Sequence, residues 1–154
     1  MSDAGRWRVL AVLVAVMVTA TLGYFMTREP IQLTDGASNM ISVADTGAWQ
    51  IFLEKMRAEG FFRPLMWPPY RLVMDWSGGE YFTWFKAIHI AQLLTLLLLL
   101  ARWLRIDTGT DVVAYVFAVT VLVGGHTFPG TIREAFPINH FLMMAVCVPS
   151  LTVR

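Results

Sequence analysis

Two groups of residues in this 154-residue chain have the types and spacing that chemistry requires. The segment HTFPGTIREAFPINH, His126 to His140, gathers two of the three histidines with Arg133 and Glu134 in fifteen residues. A carboxylate there can take a proton, a guanidinium can grip an anion, and an imidazole can move a proton or hold a metal. Lys86, His89 and Gln92 form the second group, at i, i+3 and i+6, so that one helix face carries all three. Two single residues join them: Asp35, with Ser38 and Asn39 as polar neighbours, and Arg63, whose planar fork can bind two phosphate oxygens at once. Plainer readings stand beside these. Asp35 before Gly36 is also a turn aspartate capping its own loop, and the 126–140 segment is also a polar loop between spans. His89 can hydrogen-bond a neighbouring helix, and Lys86 and Arg71 can snorkel to an interface. His126 and His140 stand fourteen apart with Glu134 between them, which matches no recognised ligand spacing; no metal site is assigned, and a divalent metal enters only as an open cofactor reading.

The elements that must position these groups follow from composition. With 56% apolar and 15% charged residues the chain is too apolar for an ordinary soluble domain, which places it in a bilayer. A net charge of +1 without a basic cluster excludes a nucleic-acid partner. The single cysteine, Cys147, excludes a disulfide framework within one chain. Apolar runs predict spans at 9–26, 87–104 and 112–125, the last ending at Gly124 and Gly125, with a shorter, Pro149-interrupted partial span at 141–153. The fold class expected is therefore all-α integral membrane, three to four transmembrane helices in a single domain over 1–154. The unfinished fourth span predicts that the bundle is the N-terminal part of something larger.

Arg6 and Arg8 precede the first span and Arg102 and Arg105 close the second, so both ends read as cytoplasmic. That leaves 27–81 and 126–140 outside, on a bacterial inner membrane. A cleaved signal is the alternative for the N-terminus, but the apolar run exceeds the roughly 7–15 residues of a signal core. Within the first outer segment, Trp49, Phe52, Leu53 and Met56 recur at helical spacing and predict an amphipathic helix over 46–59, lying in the interface or packed on protein. From Phe61 to Trp76 the prolines and rings predict irregular backbone, with an aromatic belt at headgroup depth or a lipid or sugar contact.

An aspartate after the first span, an outer amphipathic helix, the box Phe62-Arg63-Pro64-Leu65, the span start FKAIHIAQLL with His89, and Glu134 in the second outer loop follow one another in an order that resembles GT-C type membrane glycosyltransferases. The likeness is strongest to the tetratricopeptide-linked O-mannosyltransferases and their bacterial relatives. It implies transfer of a sugar from a polyprenyl-phosphate donor on the outer face, with Asp35 as base and Glu134 as a second carboxylate. Arg63 and Arg133 would contact the donor phosphate, and His126, Asn39 and His89 would be secondary polar groups. Membrane lipid, the lipid-linked sugar and the remainder of a larger bundle would be its partners. A small non-enzymatic subunit is the other reading, docking on a partner membrane protein through the Lys86, His89 and Gln92 face.

Overall fold

The structure, a computed structural model, describes residues 2–28, 41, 43–57 and 68–124. Among them the regular elements are helices: α1 Asp3–Arg28, α2 Ala48–Arg57, α3 Pro68–Trp76, α4 Tyr81–Trp103 and α5 Gly109–Val123. Two of these, α1 and α4, are long and apolar enough to cross a membrane. The expected partial span at 141–153 and the loop at 126–140 lie outside the described residues.

Helix α1 starts where the Ser2 hydroxyl accepts the Gly5 amide at 3.2 Å, with Asp3 in the first turn and Arg28 in the last, both matched to the helix dipole. Its buried side is a ladder of small residues four apart: Ala11, Ala15, Thr19 and Gly23, continued by Met26. Small side chains let a second backbone approach closely, and α4 takes that place, running antiparallel. A Cβ on Gly23 would stand 3.2 Å from Ile90 Cδ1 at one end, while Arg8 Nε donates to the Ile106 carbonyl at 3.2 Å near the other. Leu93, Leu96 and Leu97 of α4 close the core with Val112, Tyr115 and Val119 of α5. Tyr115, fully buried, donates its hydroxyl to the Leu97 carbonyl at 3.1 Å, so its polar tip is satisfied inside an apolar layer.

The α4–α5 corner is built by polar residues. Arg105 takes a positive φ of 50° and ends α4 in the left-handed position that glycine more often fills. Thr108 and Asp111 then form a capping box over the first turn of α5. The Asp111 carboxylate accepts the Asp107 amide at 3.0 Å, the Thr108 hydroxyl at 2.8 Å and the Thr108 amide at 2.8 Å. These bonds hold its carboxyl below the usual carboxylate range, the Asp107 amide contributing most. Arg8 reaches across from α1 to Asp107 at 2.5 Å, tying the corner to the N-terminal helix. At the far end α5 stops at Gly124, whose Cβ would fall 2.4 Å from the Thr120 carbonyl oxygen.

Opposite that corner, α2 and α3 sit on the start of α4 over a second core of Val43, Ile51, Tyr70, Val73 and Phe85. Tyr70 and Phe85 pack ring on ring at 5.6 Å. The α3 helix corrects the expectation of irregular backbone up to Trp76: Pro68 and Pro69 stand at its first two positions, where no amide is needed and proline's φ is already helical. Arg71 binds Asp75 one turn on and donates to the carbonyls of Val43 and Ala44, fastening α3 to the segment before α2. It is a clamp and does not snorkel. Gly78 and Gly79, at φ 58° and 100°, turn the chain from α3 into α4.

Substituting Gly23→Val should push α1 away from Ile90 and destabilise the pair by about 1–3 kcal/mol, as overpacking does, read as a lower midpoint of thermal unfolding in detergent micelles. The Asp111 bonds predict an acid-sensitive corner. An unfolded chain binds the proton more readily than the folded one, so their stabilisation is full above the ordinary carboxylate range and lost as pH falls through the folded value. Asp111→Asn should flatten that acid limb in the same unfolding assay.

Candidate functional site

Of the expected site residues, Asp35, Asn39, Arg63, His126, Arg133 and Glu134 lie outside the described residues. His89 is described, and so are the Lys86 and Gln92 that share its face of α4. Their placement follows from the helix: α4 begins at Tyr81, so Lys86 stands in its second turn, His89 about one turn further along and Gln92 one turn beyond that.

This face is turned inward. Lys86 is 3% exposed and His89 0%, which overturns the reading of Lys86 as a snorkelling surface side chain. The Lys86 ammonium lies 5.7 Å from the centroid of the Phe82 ring, within range of a cation–π contact. Both Lys86 and His89 also engage further groups. Further into the bundle, the Gln92 Oε1 and the Thr19 Oγ1 of α1 are buried and have no hydrogen-bond partner among the described residues. The register set by Gly23 at Ile90 brings His89 level with the last turns of α1, where Leu22 and Met26 are buried. The result is a short polar seam that enters an apolar bundle from the end where α2 and α3 sit.

A buried lysine beside a buried histidine is costly in an apolar layer unless opposite charge or hydrogen bonds meet it. Both residues have partners, the Phe82 ring for Lys86 among them. Thr19 was not among the sequence candidates. Its place as the third rung of the small-residue ladder, one spacing of four before Gly23, is the signal that marks it as facing α4. Among the described residues no group of three histidine, cysteine, aspartate or glutamate side chains can hold a metal ion.

Comparison with protein-family models, with curated proteins and with solved structures finds no match to this chain.

Burial of Lys86 makes a direct prediction. In the folded chain it should resist acylation by a water-soluble amine reagent and become reactive after denaturation, read by mass spectrometry of the peptide carrying it; equal labelling in both states would contradict its placement.

Proposed function

We propose that the chain is an integral membrane protein, N-terminus in the cytoplasm, whose outer side serves transfer of a sugar from a polyprenyl-phosphate donor. The observation that carries the membrane placement is a pair of aromatic bands. Trp7 on α1 and Trp103 on α4 are exposed at the end that also bears Arg6, Arg8, Arg102 and Arg105. Tyr24 and Phe25 on α1 and Tyr81, Phe82 and Trp84 on α4 are exposed at the opposite end. Tyr24 stands seventeen positions after Trp7, and Trp103 nineteen positions after Trp84. At 1.5 Å per residue these spacings are about 26 Å and about 29 Å, close to the roughly 30 Å of a bilayer's hydrocarbon core. Rings at both interfaces, with four arginines at one against Arg28 at the end of α1 at the other, are the pattern of a spanning bundle with the richer end in the cytoplasm. A bacterial inner membrane fits this arrangement, with α5 as a third, shorter span.

Sugar transfer rests on the resemblance of the Phe62 to Leu65 box and the FKAIHIAQLL start of α4. In this reading Asp35 removes the acceptor proton, Arg63 and Arg133 meet the donor phosphate, and Glu134, His126 and Asn39 are supporting polar groups. The seam supports it in one respect: Lys86 and His89 are buried at the outer end of α4, at and just beneath the aromatic band, where a lipid-linked phosphate would lie. Docking of a non-enzymatic subunit through that face has less support, because the face is turned into the chain's own bundle.

The test is photoaffinity labelling of the chain in nanodiscs by a polyprenyl-phosphate analogue. A charge-assisted contact contributes about 1.5–3 kcal/mol, so Arg63→Ala should lower labelling roughly tenfold to a hundredfold. Equal labelling by the phosphate and by the free polyprenol would sink the proposal.

A further inference from the structure

Helices α2 and α3 each carry two apolar faces. On α3, Tyr70 and Val73 are buried against the second core, and Leu72 and Trp76, one turn apart on the other side, are 59% and 69% exposed. The Arg71–Asp75 ion pair runs along the flank between the faces. On α2, Ile51 is the core contact, whereas Trp49, 70% exposed, and Met56 lie on the opposite side. Of the helical stripe, Trp49 and Met56 thus face outward while Phe52 and Leu53 are half-buried, and Trp49 stacks on Phe52 at 5.4 Å. A short helix that is apolar on the side away from its own core is sandwiched between that core and a second apolar medium.

The position of these faces identifies the medium. Trp76 packs against Trp84 across the Gly78–Gly79 turn, ring centroids 4.8 Å apart and planes tilted by 30°, so the outward face of α3 continues into the band at the start of α4. Trp84 and Phe82 of that band are themselves exposed. The surface is rich in tryptophan, and Arg71 on its flank is paired with Asp75. Tryptophan-bearing, charge-balanced faces suit the boundary between headgroups and acyl chains, with no requirement for anionic lipid. From this geometry we infer that α2 and α3 lie in the plane of the outer leaflet, with Trp49, Met56, Leu72 and Trp76 inserted among the lipids. The inference rests on the membrane placement proposed above and adds a lipid-facing surface to the segment between the first two spans. Burial of that face in lipid holds the platform at a set depth over the polar seam.

Nitroxide accessibility in phosphatidylcholine nanodiscs tests this. In a Cys147→Ser background, Leu72→Cys and Met56→Cys are spin-labelled one at a time, with Met17→Cys on the exposed side of α1 as reference. Relaxation at positions 72 and 56 should respond more to oxygen than to a water-soluble nickel chelate, as it does for Met17→Cys. Dominance of the nickel chelate at both positions, with oxygen dominant at position 17, would overturn the inference and leave the spanning bundle intact. Low access to both reagents with an immobilised spectrum would also overturn it, since protein would then cover the face. Dominance of the nickel chelate at position 17 as well would remove the membrane placement and this inference together. Because each label replaces one exposed side chain, folding is checked by an unchanged helical circular dichroism spectrum.

Discussion

The close antiparallel approach of α1 and α4 is the constraint on which the rest of the structure depends. It exists because α1 presents Ala11, Ala15, Thr19 and Gly23 on one line, which leaves room for the leucines and Ile90 of α4. If the pair lies in a bilayer, as proposed, the hydrophobic effect does not drive two apolar helices together, and contact area at short range does so. Once the pair is formed, the α4–α5 corner can be locked by Arg8, Asp107 and the capping box, and α5 can fill the remaining groove with Val112, Tyr115 and Val119. At the other end the same pairing closes over Lys86 and His89. The packing that stabilises the bundle and the packing that desolvates its titratable groups are one arrangement.

This explains why the two ends differ in character. The arginine-rich end is fastened by exposed, directional contacts: an ion pair, a cap and a carbonyl bound by a guanidinium. Contacts of that kind fix geometry and contribute little energy individually. The opposite end is fastened by rings, with Tyr70 on Phe85 and Trp76 on Trp84, and by the Arg71 clamp. It therefore tolerates polar residues at its margin while excluding water from the helix interior. A polar seam of lysine, histidine and glutamine at that margin is the part of the fold that packing alone does not account for.

Much of this was legible in the residues, for reasons that can be stated. The spans around α1, α4 and α5 are long apolar runs, and a run of that length has few alternatives to a helix. Helix α5 ends at Val123, and glycine suits the extended position that follows because a Cβ there would meet the Thr120 carbonyl. Local chemistry was less legible where two signals competed. Pro68 and Pro69 read as breakers in a ring-rich stretch, yet at the first positions of a helix they start it. The stripe through Trp49 and Met56 had the right period for a helix, but period does not say which side faces protein and which faces lipid. Lys86 read as a lysine snorkelling to an interface because it stands at the boundary of an apolar run; its burial comes from the fold around α4, which no local pattern contains. Of the candidate site only His89 is reached by the described residues, so the roles of Asp35, Arg63 and Glu134 rest on the resemblance alone.

The central claim is that the outward sides of α1 and α4 face lipid, and reactivity of a cysteine at Met17 tests it most directly. Met17 is 69% exposed on the isolated chain, midway between the two aromatic bands. In native membranes carrying Cys147→Ser with Met17→Cys, a water-soluble maleimide should leave the thiol unlabelled from either side, before and after permeabilisation. Glu80→Cys should label from outside, and Thr108→Cys only once the membrane is opened. Rapid labelling at position 17 by the water-soluble reagent would mean that this face meets water, and the account of the chain as a spanning bundle would be wrong.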